Sequence, residues 1–238
     1  MLGNKLGERK TIYVPDYVVF DLETTGISAA RDQVVEISAI KVQDGLVTGE
    51  FSTLVNPQMP IPWQASRVNG ITDDMVAGSP VFREALAEFL KFTGDFVLVG
   101  HNIQAFDMKF LYRDSRLFWN RIPDNDYIDT LHMARRVLPQ LRHHRLVDLA
   151  DYYGLSTDGA HRALADCRMN QQVYEFMGRG LTGCAGGTGL ANQMASTDNI
   201  DSAKICPHCG GSLKKRKGRF GEFYGCESFP MCRYTENI

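Results

Sequence analysis

Apolar residues in the first part of the chain are spaced as in β-strands. The run Val18-Val19-Phe20 predicts a buried strand, and Gly26 marks the turn that ends it. Asp44-Gly45 lies between two later runs of strand-forming residues and predicts a hairpin turn. The predicted strands cover residues 18–20, 34–42, 46–55 and 96–100.

Later segments carry apolar residues at helical spacing. Ser79-Pro80 opens the first of them, because proline is favoured at a helix start. Before it, Pro57, Pro60 and Pro62 predict an irregular segment. The predicted helices cover residues 81–90, 106–111, 131–138, 146–153 and 163–177. Strands that first form a hairpin and then alternate with helices indicate an α/β domain with a mixed sheet.

The composition of the chain changes at Gly178. Residues 178–199 contain six glycines together with Ser, Thr, Asn and Ala, which is typical of a flexible linker. At the other end, residues 1–16 are interpreted as a loose lead-in. We therefore expect a main domain at 1–178, with its core at about 14–178, a linker at 179–203 and a small domain at 204–238.

Length, charge and the apolar runs limit the function classes. A chain of 238 residues can hold one substantial core and a small satellite, and 44% hydrophobic and 23% charged residues are ordinary for a soluble protein. The net charge of −2 conceals a basic end, since residues 200–238 hold seven Lys/Arg against four Asp/Glu. No run approaches the roughly 18 apolar residues of a membrane span, and the polar start lacks a signal peptide. A cytoplasmic protein with no membrane contact is expected, in which the cysteines are thiols or metal ligands.

Acidic side chains follow both predicted buried strands. Asp21 and Glu23 are two residues apart and therefore share one face of the first strand, where their charges repel. A divalent cation such as Mg²⁺ would offset this repulsion, whereas the alternative is an ordinary exposed strand end. Asp107 follows the second buried strand near a helix start, and Asp166 lies one turn into the helix that follows His161. Because ligand sites of open α/β sheets gather at strand ends, Asp107 is expected to face the first pair.

Three segments resemble the sequence motifs of a known enzyme family. They are FDLETTG at 20–26, HNIQAFD at 101–107 and HRALAD at 161–166. In this order they resemble the three motifs of the DEDDh 3′–5′ exonucleases, a superfamily that includes the proofreading exonucleases of bacterial replicative DNA polymerases and ribonuclease T. The resemblance covers roughly residues 14–178. It implies a ribonuclease-H-like fold, a mixed sheet flanked by helices.

The resemblance also implies the roles of five residues. His161 would be the general base, and the metal-binding carboxylates would be Asp21, Glu23, Asp107 and Asp166. Taken alone, His161 is more simply a loop histidine and Asp107 a helix-cap carboxylate, but their combination in ordered motifs favours catalysis. Water attack on a phosphodiester needs charge neutralised on the attacking and leaving oxygens, which two Mg²⁺ or Mn²⁺ ions would supply. A histidine titrates near neutral pH and can take the proton of the water.

The expected product is a nucleoside 5′-monophosphate released from a free 3′ end. At family level, Thr24 and Thr25 are expected to contact the terminal nucleotide. The acidic site by itself would handle only phosphates and metals, so the sequence leaves DNA and RNA open as substrates.

Four cysteines lie in the last 33 residues. Cys206 and Cys209 form a C-x-x-C pair, and Cys226 and Cys232 form a second pair with a wider spacing. Four thiolates suit tetrahedral Zn²⁺, whereas a redox or free-thiol role is the alternative. A domain of this size has little core of its own, and structural zinc contributes roughly 10–16 kcal/mol in such cases. One structural Zn²⁺ is therefore predicted.

The run at 221–232 resembles the C-terminal zinc ribbon of bacterial type I DNA topoisomerases. The likeness covers about residues 204–235 and implies binding of single-stranded DNA. Basic side chains would contact phosphates and aromatic ones would stack on bases, although the aromatics could instead pack around the zinc. The candidate nucleic-acid-binding residues here are Lys214, Lys215, Arg216, Lys217, Arg219, Phe223 and Tyr224.

The sequence thus predicts a metal-dependent 3′–5′ exonuclease joined by a linker to a zinc ribbon that captures single strands. Its partners would be single-stranded DNA or DNA 3′ ends. Two alternatives stay open: an exoribonuclease, and a nucleic-acid-binding adaptor without catalysis. The ribbon could also dock on a protein such as a DNA polymerase or a clamp.

Overall fold

A computed structural model describes residues 2–3, 5–157, 161–182, 213–218, 221–226 and 235–237. The chain divides into two compact units, Met1–Ala185 and Gly186–Ile238. The first unit holds the sheet and helices predicted for the main domain, and the second holds a small β-structure.

The described strands lie in both units. They are β1 (Leu2–Gly3), β2 (Tyr17–Thr24), β3 (Val34–Gln43), β4 (Leu46–Leu54), β5 (Val97–Gly100), β6 (Ile122–Pro123), β7 (Tyr127–Asp129), β8 (Leu213–Gly218), β9 (Gly221–Cys226) and β10 (Thr235–Asn237).

The described helices all lie in the first unit. They are α1 (Trp63–Asn69), α2 (Asp73–Val76), α3 (Phe82–Thr93), α4 (Asp107–Trp119), α5 (Thr130–Val137), α6 (Leu146–Tyr153) and α7 (Ala163–Thr182). None of the helices within the described ranges is both long and apolar enough to cross a membrane.

The central sheet of the first unit is mixed, as predicted. Among the described residues its strand order is β4-β3-β2-β5-β7. The β2–β3–β4 part is antiparallel, whereas β5 pairs parallel to β2 and β7 parallel to β5. The hairpin turn between β3 and β4 lies at Asp44-Gly45, where both residues have positive φ angles (51° and 74°). All four predicted strands and the mixed α/β fold are confirmed.

The sheet is covered by helices on both faces, and strand β2 shows how. Val18, Phe20 and Leu22 pack into the core that α3 and α4 close. Tyr17 and Val19 pack into the opposite core, which α5, α6 and α7 close. Because side chains alternate along a strand, Asp21 and Glu23 follow the odd-numbered positions and face the side of α7.

Strand β2 extends beyond its parallel neighbour. It pairs with β5 only as far as Val19, whereas its pairing with β3 continues to Thr24. The end of β2 therefore has a partner strand on one edge only. This is where the loop after β5 and the N-terminus of α7 can approach it.

Several elements differ from the sequence prediction. Helices α1 and α2 lie in the segment that was predicted to be irregular, since its prolines precede α1 rather than interrupt it. Strand β7, with three residues, was too short to be recognised. The N-terminal residues are not a loose lead-in: the Lys10 N–H donates to the Tyr127 carbonyl over 2.7 Å, and the Tyr127 N–H donates to the Glu8 carbonyl over 3.0 Å.

The second unit contains a three-stranded antiparallel sheet in the order β10-β9-β8. Cys226 is the last residue of β9 and pairs with Leu213 of β8. The other predicted zinc ligands, Cys206, Cys209 and Cys232, lie outside the described residues, as does Arg219.

The core beneath the end of β2 should control stability. Phe89 of α3 is fully buried, with its ring 5.5 Å from the ring of Phe20 and 6.3 Å from that of Phe51. We expect Phe89→Ala to lower the free energy of unfolding by about 3–5 kcal/mol, because a large cavity replaces the ring. Leu117→Ala is the control; that side chain is 74% exposed, so a change within about 0.5 kcal/mol is expected. Equal losses in urea unfolding would contradict this assignment of the core.

Candidate active site

Three carboxylates converge beside the end of β2. Ligand atoms of Asp21, Glu23 and Asp166 all lie within 4.8 Å of one another, and the three side chains are half-buried. Two of them come from one face of β2, and the third comes from the first turn of α7. Oxygen ligands in this arrangement fit a hard divalent cation.

Asp107 lies next to this cluster but is not among its three members. It is the first residue of α4 and is 3% exposed. Its Oδ1 accepts a hydrogen bond from the Leu22 N–H over 3.1 Å, at the part of β2 that β5 does not reach. The carboxylate therefore takes the place of a missing strand neighbour, which holds it beside Asp21 and Glu23.

His161 precedes α7 and is exposed. Its backbone has a φ of 70°, a left-handed conformation that is uncommon for residues other than glycine. Its N–H donates to Asp166 Oδ2 over 3.1 Å, so the first turn of the helix closes back on the loop. The backbone of His161 is thereby held against Asp166, a member of the acidic cluster.

The acidic groups perturb one another strongly. Burial and the nearby charges of Asp107, Glu23 and Asp166 raise the pKa of Asp21 well above its ordinary value. Burial, together with the charge of Asp166, raises the pKa of Glu23 to about 7. Burial also raises the pKa of Asp107 to about 8, against the opposing effect of backbone hydrogen bonds. The site therefore resists full ionisation until a positive charge is present.

The loop that leads from β5 to Asp107 is held by Asp129. The Oδ1 of this carboxylate accepts from the Asn102 and Leu131 N–H groups over 3.1 and 3.0 Å, and its Oδ2 accepts from the Gln104 N–H over 3.2 Å. Asn102 has a left-handed φ of 62°. The sequence prediction did not identify Asp129, although its place just before a helix start is a common signal for a capping carboxylate.

His101 is the first residue of the same loop, directly after β5. Burial lowers its pKa to about 4, so the ring is neutral under physiological conditions. Its Nδ1 lies 3.1 Å from the Thr130 hydroxyl, which is itself within hydrogen-bond distance of the Gly100 carbonyl. These contacts connect His101 to the start of α5, and the start of α5 to the end of β5.

An ion pair with a buried carboxylate lies beside the cluster. Glu36 of β3 pairs directly opposite Glu23 of β2. Its carboxylate accepts from Arg162 Nε over 3.2 Å, from Arg162 Nη2 over 2.9 Å and from the Ala163 N–H over 3.2 Å. Sequence reasoning missed Glu36, because an acid within a strand-forming run gives no motif of its own.

The side chains of the two threonines after Glu23 form hydrogen bonds within the loop that follows β2. The Thr24 hydroxyl donates to the Gly26 carbonyl over 2.7 Å. The Thr25 hydroxyl accepts from the Gln33 N–H over 3.0 Å, and the Thr25 N–H donates to the Gln33 carbonyl over 2.8 Å. Both side chains are buried. Their contact with a nucleotide stays a prediction.

All candidate residues of the small unit that the structure describes lie on two paired strands. Lys214, Lys215 and Arg216 of β8 have exposed side chains, and Phe223 and Tyr224 of β9 are half-buried. Lys217 is also in β8. The basic and aromatic residues are thus brought onto one hairpin, in register across the two strands.

Comparison with known protein families supports these observations. The family described as "Exonuclease" matches residues 18–174, about two thirds of the chain. The family described as "Topoisomerase DNA binding C4 zinc finger" matches residues 203–238. The chain belongs to the exonuclease family, and it carries a C-terminal zinc ribbon of the topoisomerase type.

Two curated relatives match about two thirds of the chain. The DNA polymerase III subunit epsilon of Aquifex aeolicus is 37% identical over 158 residues, which are 66% of this chain and 78% of that protein. A PolC-type DNA polymerase III of Clostridium perfringens is also 37% identical, over 68% of this chain. The match spans only 11% of that much longer protein.

A solved structure agrees in fold. Exonuclease X in complex with 5′-overhanging duplex DNA superposes with a TM-score of 0.53 at 26% identity. The match covers 72% of this chain and 94% of that one. The predicted ribonuclease-H-like fold and the prediction that the chain is a nuclease are confirmed.

The substitution Asp107→Asn should stabilise the metal-free protein. The folded pKa of about 8 exceeds the ordinary value of 3.8, so the folded state holds a proton that the unfolded chain releases. Stability is therefore lost as the pH rises from about 4 to about 8. The neutral amide of the variant removes this loss, and we expect its Tm in EDTA at pH 8 to exceed that of the wild type by at least about 2 °C.

The control is Asp151→Asn, at an exposed position on α6. Its Tm should follow that of the wild type at both pH 5 and pH 8. A Tm of Asp107→Asn at or below the wild-type value at pH 8 would show that the buried carboxylate does not destabilise the fold.

Proposed function

We propose that this protein is a divalent-metal-dependent 3′–5′ exonuclease that releases nucleoside 5′-monophosphates from DNA. The observation that carries this proposal is the convergence of Asp21, Glu23 and Asp166 within 4.8 Å, with Asp107 buried beside them. A cluster of this kind has little use in a stable fold, because its members repel one another.

The relatives favour DNA and a free 3′ end. Exonuclease X was solved with a duplex that has a 5′ overhang, and such a duplex has a recessed 3′ terminus. One curated relative is named as a subunit of DNA polymerase III, and the other as a PolC-type DNA polymerase III. We therefore assign DNA, rather than RNA, as the substrate, and a replicative DNA polymerase as a partner.

The donor set fits divalent cations of the Mg²⁺ or Mn²⁺ type. Asp21, Glu23, Asp107 and Asp166 offer only carboxylate oxygens, and the raised pKa values of the first three indicate a site that lacks positive charge. We assign these four residues as the ligands of two ions. When bound, the ions would neutralise charge on the attacking and leaving oxygens of an in-line displacement.

We assign His161 as the general base. Its position before α7 leaves the imidazole exposed, while its N–H is fixed on Asp166. A ring nitrogen of His161 can take a proton from the attacking water, as a general base does. The hydrogen bond from the Leu22 N–H to Asp107 Oδ1 holds the start of α4 against β2.

We further propose that the C-terminal domain, residues 204–238, is held by one Zn²⁺ on Cys206, Cys209, Cys226 and Cys232. The family match to a DNA-binding zinc finger at residues 203–238 supports this, and the basic strand β8 suits contact with phosphates. The predicted linker at 179–203 begins too early, because α7 continues to Thr182. Joined to the first unit by the chain that follows α7, such a domain would raise the concentration of single strands near the active site.

The first test uses purified protein on 5′-labelled single-stranded DNA and RNA with Mg²⁺. We expect a ladder that shortens from the 3′ end of the DNA, with mononucleotides as products. Asp166→Asn should lower the rate by at least about 10³-fold, because a carboxylate ligand is lost. Asp151→Asn, an exposed acid on α6, should cut at the wild-type rate.

Each other outcome has a definite meaning. Preferred degradation of RNA would overturn the assignment of DNA. Binding of both strands without any cleavage in Mg²⁺ or Mn²⁺ would favour an adaptor. Equal activity of the wild type and Asp166→Asn would exclude the acidic cluster as the catalytic centre.

Deletion of residues 200–238 tests the role of the zinc ribbon. We expect KM for single-stranded DNA to rise about tenfold or more while kcat changes less than about twofold, because the ribbon acts on capture only. A full-length variant in which Lys214, Lys215 and Arg216 are changed to Gln should reproduce part of this rise. An unchanged KM and an unchanged salt dependence after deletion would contradict the tether.

A further inference from the structure

We propose that Glu36 and Arg162 form a positioning pair that fixes the N-terminus of α7 against the strands that carry Asp21 and Glu23. Through this pair the chain sets the distance of His161 and Asp166 from the other acids. The inference rests on the proposed function, since it concerns the geometry of that active site.

Glu36 is placed to join the two halves of the site. It lies on β3 opposite Glu23, and its side chain is 4% exposed. Both of its carboxylate oxygens are engaged: Oε1 by Arg162 Nη2, and Oε2 by Arg162 Nε and the Ala163 N–H. A buried carboxylate is costly unless it is paired in this way. Both oxygens of Glu36 are thus engaged by Arg162 and Ala163, although the residue lies beside the acidic cluster.

The contact is made at the start of the helix. Ala163 is the first residue of α7, and the first N–H groups of a helix have no partner within it. A carboxylate from β3 fills this need and adds a favourable charge at the positive end of the helix dipole. Arg162 contributes a two-pronged contact, which restricts rotation as well as distance. Asp166 then follows at a fixed place in the first turn.

The segment between the two contacts is short and strained. His161 adopts its left-handed backbone one residue before Arg162, and its N–H is bound by Asp166. Two hydrogen bonds close the stretch 161–166 on itself, from the His161 N–H to Asp166 Oδ2 and from the Asp166 N–H to the Arg162 carbonyl. Glu36 joins the same stretch to the sheet. Loss of the contacts that Glu36 makes with Arg162 and Ala163 should let His161 and Asp166 move together while the other acids stay in place.

A second pair on the same helix provides a matched control. Arg168 binds Glu50 of β4 through Nε over 3.2 Å and Nη2 over 2.8 Å, so it joins α7 to the same sheet with the same chemistry. This pair is more exposed, with side chains 53% and 42% accessible. Its contacts lie beyond the first turn of the helix.

The experiment compares Glu36→Gln, Arg162→Gln and the double variant with Glu50→Gln and Arg168→Gln. Single-stranded DNA is cut in Mg²⁺, and kcat and KM are measured separately. We expect the first two variants to lose about 10- to 100-fold in kcat with little change in KM, as for other residues that orient metal ligands. The double variant should lose no more than Arg162→Gln alone, because both changes break one unit. The two control variants should stay within about twofold.

Two further measurements separate positioning from folding and from DNA contact. The affinity of Mn²⁺, titrated calorimetrically without DNA, should fall about tenfold in Glu36→Gln and stay constant in Glu50→Gln. Arg162→Lys keeps the charge but loses the two-pronged contact, so it should recover only part of kcat. Melting in EDTA reports whether each variant is folded at the assay temperature.

Three outcomes would overturn the inference. Equal kcat losses in the Glu36 and Glu50 variants would show a general effect on α7. A rise in KM confined to Arg162→Gln would show that Arg162, which is 45% exposed, contacts DNA directly. Unchanged Mn²⁺ affinity in Glu36→Gln would show that Glu36 does not position a metal ligand. An inactive wild type would instead refute the proposed function, which distinguishes the two failures.

Discussion

The candidate active site of the first unit depends on holding together carboxylates that repel one another at the end of one strand. Asp21 and Glu23 are fixed close together, because the pleat of β2 places both side chains on one face. Asp107 and Asp166 add further negative charge from α4 and α7. Each of these two is held by backbone N–H donors, from Leu22 in one case and from His161 in the other. Neutral donors thus keep the acids together where their charges alone would drive them apart.

The sequence was sufficient for the fold and for the acidic residues. Strong periodicity marked the long strands and helices, and three ordered motifs marked the cluster. What it did not reveal depends on contacts between distant segments. The three-residue strand β7 exists because Gly100 and Asp129 pair, and the N-terminal residues are ordered because Glu8 and Lys10 bind Tyr127. Such short segments have no pattern of their own, so tertiary contacts decide their structure.

The residues that position the candidate catalytic segments could not be predicted from the sequence, for a similar reason. Asp129 and Glu36 are common residues in ordinary positions, and their importance lies in which N–H groups reach them. Both bind the backbone of segments that carry catalytic candidates, the loop before Asp107 and the start of α7. A motif shows which side chains meet a substrate, whereas the groups that aim those side chains are visible only in three dimensions.

The alternation along β2 also constrains how this protein can change over time. Even-numbered side chains from Val18 to Leu22 fill one core, and odd-numbered ones fill the other or enter the acidic cluster. Insertion or deletion of one residue within the strand would exchange the two sets, driving Asp21 toward Phe89 and Leu22 toward the cluster. A change of length between Val18 and Leu22 is therefore expected to be more damaging than a substitution on one face.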